Sequence, residues 1–119
     1  MRHPMFRVAL AVVAGVVLGH GVALAAGDAT KGKAAFMKSG CWQCHGTQGQ
    51  GSASTSAGKV LAPDPLPYDT FAAFVRSTNR AMPPYSEKIL PNEDLGDIHA
   101  YLASIPKSKD PKTIPLLSQ

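Results

Sequence analysis

The segment Cys41-Trp42-Gln43-Cys44-His45 holds two thiols separated by two residues, with an imidazole directly after the second. These are the only two cysteines in the sequence. So tight a loop makes a poor structural staple and marks a redox, metal or cofactor site instead. Three chemistries use such a spacing. In the first, the thiols add across the two vinyl groups of one porphyrin, and the next residue is held under the iron; Cys-x-x-Cys-His is the attachment sequence for c-type haem. In the second, the pair is a reversible dithiol, which belongs in a βαβ context. In the third, Cys41, Cys44 and His45 bind zinc and need a fourth ligand. His99 is the only other histidine beyond residue 26. No stretch of the chain reads as a strand, which leaves the dithiol without its usual context. The favoured expectation is one haem c, attached through Cys41 and Cys44, with His45 on the iron.

The segments around the motif read as helices joined by loops. Residues 28–38 hold adequate helix formers, with Asp28 as N-cap. Gly32 and Phe36, four apart, share a face. Ser39-Gly40 stops this helix just before Cys41. Residues 46–58 are rich in Gly, Ser and Thr and form a loop whose small residues let backbone pass close to a flat ligand. Pro63, Pro65 and Pro67 punctuate an extended connection. A second helix is expected over Tyr68–Ser77, capped by Asp69, with Phe71, Phe74 and Val75 as its buried stripe. Last comes a helix with Asn92 as N-cap and Glu93 and Asp94 at the positive end of its dipole. Leu95, Ile98, Leu102 and Ile105 mark its apolar face, with Tyr101 beside it, and Pro106 ends it. The tail from Lys107 reads as an extended strap.

An iron held by His45 has a second axial position. Beyond residue 26, Met37, Met82, His99 and the lysines are the available donors. Met37 lies eight residues before His45 and reads as core. His99 reads as a satisfied or solvated helix residue. Met82 is 37 residues beyond His45, far enough to wrap to the other face, on a loop stiffened by Pro83 and Pro84. Met82 is therefore the expected second metal ligand. A thioether favours ferrous iron and raises the potential. With both axial positions filled, none remains for a substrate, which suits an electron carrier and not an enzyme.

Residues 1–26 have the layout of a secretory signal. Arg2 and Arg7 precede an apolar run from Val8 to Leu18, and Ala23-Leu24-Ala25 matches a signal-peptidase site, with cleavage after Ala25 or Ala26. Eleven apolar residues fall short of the roughly 20 that span a bilayer. An uncleaved anchor is the alternative. The whole chain is +4, but without Arg2 and Arg7 ten basic face eight acidic side chains, a net of +2. Two haem propionates bring that near neutral. The basic residues form no run, so neither nucleic acid nor stable membrane insertion after cleavage is expected. The domain thus covers residues 27–119, with 107–119 as its tail. At 119 residues and 7% aromatics, a cofactor is a plausible staple for so small a core.

On these residues the chain resembles the class I, monohaem cytochrome c family over most of 28–105. The order is the family's: N-terminal helix, Cys41-Trp42-Gln43-Cys44-His45, glycine-rich loop, middle helix, methionine loop, C-terminal helix. Arg80-Ala81-Met82-Pro83-Pro84-Tyr85 is similar to the methionine loop of bacterial members. The resemblance implies an all-α cytochrome c fold of three to four helices wrapped around one covalent haem. It implies that Gly32 and Phe36 pack crosswise against Ile98 and Tyr101. It implies periplasmic electron transfer between redox proteins, from a dehydrogenase or reductase donor to an oxidase or other acceptor. The chain would act as a free monomer or as the haem subunit of a dehydrogenase complex. A ligand-binding or peroxidatic haem protein is a further alternative. The family often has Gly-Pro-x-Leu, whose proline carbonyl accepts the axial histidine's other N–H. Here the stretch is Gly58-Lys59-Val60-Leu61, and a carbonyl in it, or of Ala62 or Pro63, is the expected acceptor.

Overall fold

The computed structural model describes residues 27–52 and 58–116. The secretory-signal reading of residues 1–26 lies outside them. Four helices follow in order: α1 Ala29–Lys38, α2 Trp42–His45, α3 Tyr68–Ser77 and α4 Asn92–Ser104. A 3-10 turn, Pro111–Thr113, follows in the tail. No strand occurs among the described residues. The all-α expectation holds.

Helix α1 starts as its sequence suggests. The Asp28 side chain accepts from the Thr30 and Lys31 backbone N–H groups at 2.8 and 3.0 Å. Those two bonds, that to Lys31 first, hold its carboxyl below the usual range, so it stays ionised at the positive helix end. The other two expected caps are not caps. Pro67 and Pro91 occupy the N-cap positions of α3 and α4 and offer no side-chain bond. The physical reason is proline's fixed φ combined with its exclusion of helical backbone from the residue before it. Each helix therefore begins directly after its proline. Asp69 lies in the first turn of α3, and Asn92 is the first residue of α4 with its side chain turned to Arg76.

Helices α1 and α4 form the structural core, through the contact the family resemblance implied. A Cβ on Gly32 would overlap the Asp97 carbonyl, so only glycine permits this approach. One turn on, the Phe36 and Tyr101 rings meet at 5.7 Å with their planes tilted by 58°. Phe36, Leu95, Ile98 and Leu102 are buried almost completely. Each contributes about 1.5–3 kcal/mol relative to exposure. Polar ties reinforce the crossing. Buried Asp97 accepts the Asp28 backbone N–H at 2.6 Å, and the Tyr101 hydroxyl donates to the Thr47 carbonyl at 2.8 Å. Burial pushes the Tyr101 phenol up, keeping it a neutral donor.

The tail departs from the extended strap. Asp110 caps the Pro111–Thr113 turn by accepting the Lys112 N–H at 2.9 Å. Proline at the first position of that turn is already set to helical φ.

Candidate haem site

The motif is itself one helical turn. His45 N–H donates to the Cys41 carbonyl at 3.0 Å, and Gly46 N–H to that of Trp42 at 2.9 Å. Gly40, at φ +77°, turns the chain from α1 into this helix. Cys41 N–H still reaches the Phe36 carbonyl at 3.2 Å, so the motif is tied to the α1–α4 core. Both thiols are free; Cys41 is half-buried and Cys44 exposed. Burial pushes the Cys41 thiol up to about 11. A dithiol redox pair needs the opposite, a depressed pKa.

His45 is buried, and its Nδ1 lies 2.8 Å from the Lys59 carbonyl oxygen. A carbonyl only accepts, so Nδ1 is the donor, and Nε2 is the ring nitrogen left for a metal. Lys59 is thus the acceptor among the several carbonyls expected. Gly58 brings it there. A Cβ on Gly58 would collide with the Cys44 carbonyl, so Gly58 lies directly against α2. The small residues of this loop were expected to approach a flat ligand. Gly58 instead approaches the motif's own backbone.

An apolar cavity of about 610 Å³ opens beside α2. Cys41, His45 and Met82 all line it. Its walls come from Phe71, Phe74 and Val75 on α3 and from Leu95, Ile98 and Leu102 on α4. Val60 and Leu66 line it too, and they are 68% and 54% exposed. Phe74, expected in a buried stripe with Phe71 and Val75, is 48% exposed and also lines the cavity. That stripe therefore serves the cavity wall, because the space it faces is not filled by protein. Polar side chains enter at Lys59, Asp64 and Arg80.

The remaining candidates separate cleanly. Met37, read as core, is 36% exposed on α1, because α1 buries its Gly32, Ala35 and Phe36 face against α4. His99 is satisfied: its Nε2 lies 2.8 Å from the Leu66 carbonyl, and its ring packs edge-on against Tyr68 and Phe71. It is not in the cavity lining. No group of three or more His, Cys, Asp or Glu among the described residues is arranged to hold a metal ion. Among the described residues, Cys41, Cys44 and His45 thus have no fourth zinc ligand beside them. Trp42 is 40% exposed on α2.

A family model described as cytochrome C oxidase, cbb3-type, subunit III, matches residues 27–102. The chain belongs to the c-type cytochrome family. No curated protein and no solved structure matches it. The family implies covalently bound haem c, and the site fits that group on three counts. The cavity is apolar and lies within the range of cofactor sites. Two free thiols sit in the adjoining helical turn, one of them in the cavity wall. An imidazole oriented through its Nδ1 and a thioether line the same space. Arg76, which donates to the Tyr85 carbonyl three residues past Met82, was not singled out from the sequence, and Tyr85 only as the end of the methionine loop. The only signal was an arginine on α3 and an aromatic directly after two prolines.

Proposed function

We propose that residues 27–119 form an exported, periplasmic monohaem domain that passes single electrons between redox proteins. Cys41 and Cys44 would hold the haem through thioethers, and His45 and Met82 would ligate the iron. When bound, the haem supplies a one-electron iron couple. The chain's own residues supply the rest. The Lys59 carbonyl fixes the His45 ring and raises its basicity as a ligand. Phe71, Leu95 and their neighbours exclude water from the cavity, which weakens stabilisation of the more charged oxidised state. The Met82 thioether would hold the iron from the cavity wall, favour its reduced state and leave no position for a substrate. The observation that carries this reading is that Cys41, His45 and Met82 line one apolar cavity.

Optical and magnetic resonance spectra of the wild type and Met82→Ala test it. Haem is expected in both, with high-spin, carbon-monoxide-binding iron only in the variant. Rapid carbon monoxide binding by the wild type would overturn it and favour a ligand-binding or peroxidatic protein. A second reading, as the haem subunit of an oxidoreductase complex, draws on the oxidase-subunit description of the matching family. Isolation from native extract separates the two: a free carrier elutes alone, whereas a subunit co-elutes with a larger redox partner.

A further inference from the structure

We propose that Arg76 is a positioning residue that holds the Met82 loop in place by clasping Tyr85, an inference that rests on Met82 being the second iron ligand. Apart from the packing of Met82 against the core, the loop has little else to hold it. Among the described residues, none of residues 79–84 takes part in a hydrogen bond. Its ends carry the anchors. At the start, Thr78 N–H donates to the Phe74 carbonyl at 2.9 Å. At the finish, Tyr85 is held at three points. Its N–H donates to the Val75 carbonyl at 2.9 Å, its carbonyl accepts from Arg76 Nη1 at 2.8 Å, and its hydroxyl donates to the Ser39 carbonyl at 3.0 Å. Burial pushes the Tyr85 phenol up, so that hydroxyl stays a donor.

Arg76 joins this anchor to a second element. Its Nη2 donates to Asn92 Oδ1, the first residue of α4, at 2.7 Å. One guanidinium thus ties α3, α4 and the end of the loop, while the Tyr85 hydroxyl ties the same residue to the chain just ahead of Cys41. Between Tyr85 and Met82 stand only Pro83 and Pro84, whose φ angles are fixed by their rings. Little freedom separates the clasped residue from the thioether, so a restraint on Tyr85 is a restraint on Met82. The planar fork matters: a lysine ammonium keeps the charge but not two donors at fixed spacing.

The test is imidazole binding to the ferric holoprotein, with the sulfur-to-iron charge-transfer band and circular dichroism recorded on the same samples. Imidazole competes with Met82 for the iron and reports how often the loop lets go. Arg76→Ala is expected to raise its affinity about tenfold or more, the scale of lost charge-assisted hydrogen bonds, and to weaken the band with helix content unchanged. Arg76→Lys and Asn92→Ala, which each spare part of the clasp, are expected to give smaller rises. If folded Arg76→Ala binds imidazole within about twofold of wild type while Met82→Ala binds it freely, the clasp is wrong and the ligand assignment stands. If Met82→Ala matches wild type, the ligand reading fails and the clasp falls with it. Should Arg76→Ala not fold, Arg76→Lys and Asn92→Ala decide, and wild-type values in both overturn the proposal.

Discussion

Gly58 shows how one missing side chain sets the chemistry of another residue. Its backbone lies against the Cys44 carbonyl, and the next residue's carbonyl orients His45. Gly58→Ala places a methyl group where that carbonyl sits. We expect a loss of about 3 kcal/mol in holoprotein stability, at the upper end of overpacking costs, measured by denaturant unfolding. Moving the Lys59 carbonyl also weakens the bond to His45 Nδ1, so the reduction potential should shift in the same variant. A stable variant with an unchanged potential would show that the close approach is dispensable. The motif's five residues stood out as a candidate attachment site by their spacing alone. Which carbonyl faces His45 was not, because several carbonyls of one loop satisfy the same sequence description.

Glycines in two helices make opposite predictions. Gly32 on α1 meets the Asp97 carbonyl of α4, whereas a Cβ on Gly96 meets nothing nearer than the Tyr68 hydroxyl at 3.9 Å. Gly32→Ala should therefore cost about 1–3 kcal/mol by forcing the crossing apart. Gly96→Ala should gain about 0.5–1 kcal/mol by stiffening the unfolded chain and favouring the helix. Thermal melts of both variants, run side by side, check the pair; equal shifts would refute the helix-crossing account. The elements themselves were well marked in the sequence. Asp28 and the prolines bounded them, and the residues over Tyr68–Ser77 appear as expected. The caps of α3 and α4 were misassigned because helical backbone already begins directly after Pro67 and Pro91, which leaves Asp69 and Asn92 inside the first turn.

For the whole molecule, the cavity is as much a part of the architecture as the α1–α4 crossing. Val60, Leu66 and Phe74 remain exposed around it, so a haem bound there would cover apolar surface of α3 and of the proline-punctuated connection. A chain with both Cys41 and Cys44 changed to alanine, and so without a covalent tether, should lose cooperative unfolding and much of its helical circular dichroism. The α1–α4 pair alone would then carry the fold, and so small a core is marginal. A variant that kept a sharp melting transition without haem would show that the cavity is structurally inert.

The sequence by itself determined the helix order and made Cys41, Cys44, His45 and Met82 the candidate site, since each depends on spacing, proline placement or residue type along the chain. Only the tertiary structure decided how these meet. It chose Lys59 as the partner of His45, turned Phe74 to the cavity, left Met37 exposed and joined Arg76 to Tyr85 and Asn92. The reason is physical. Periodicity and capping are local properties of backbone and side chain, whereas a hydrogen bond between residues 14 or 16 positions apart depends on how the intervening chain folds.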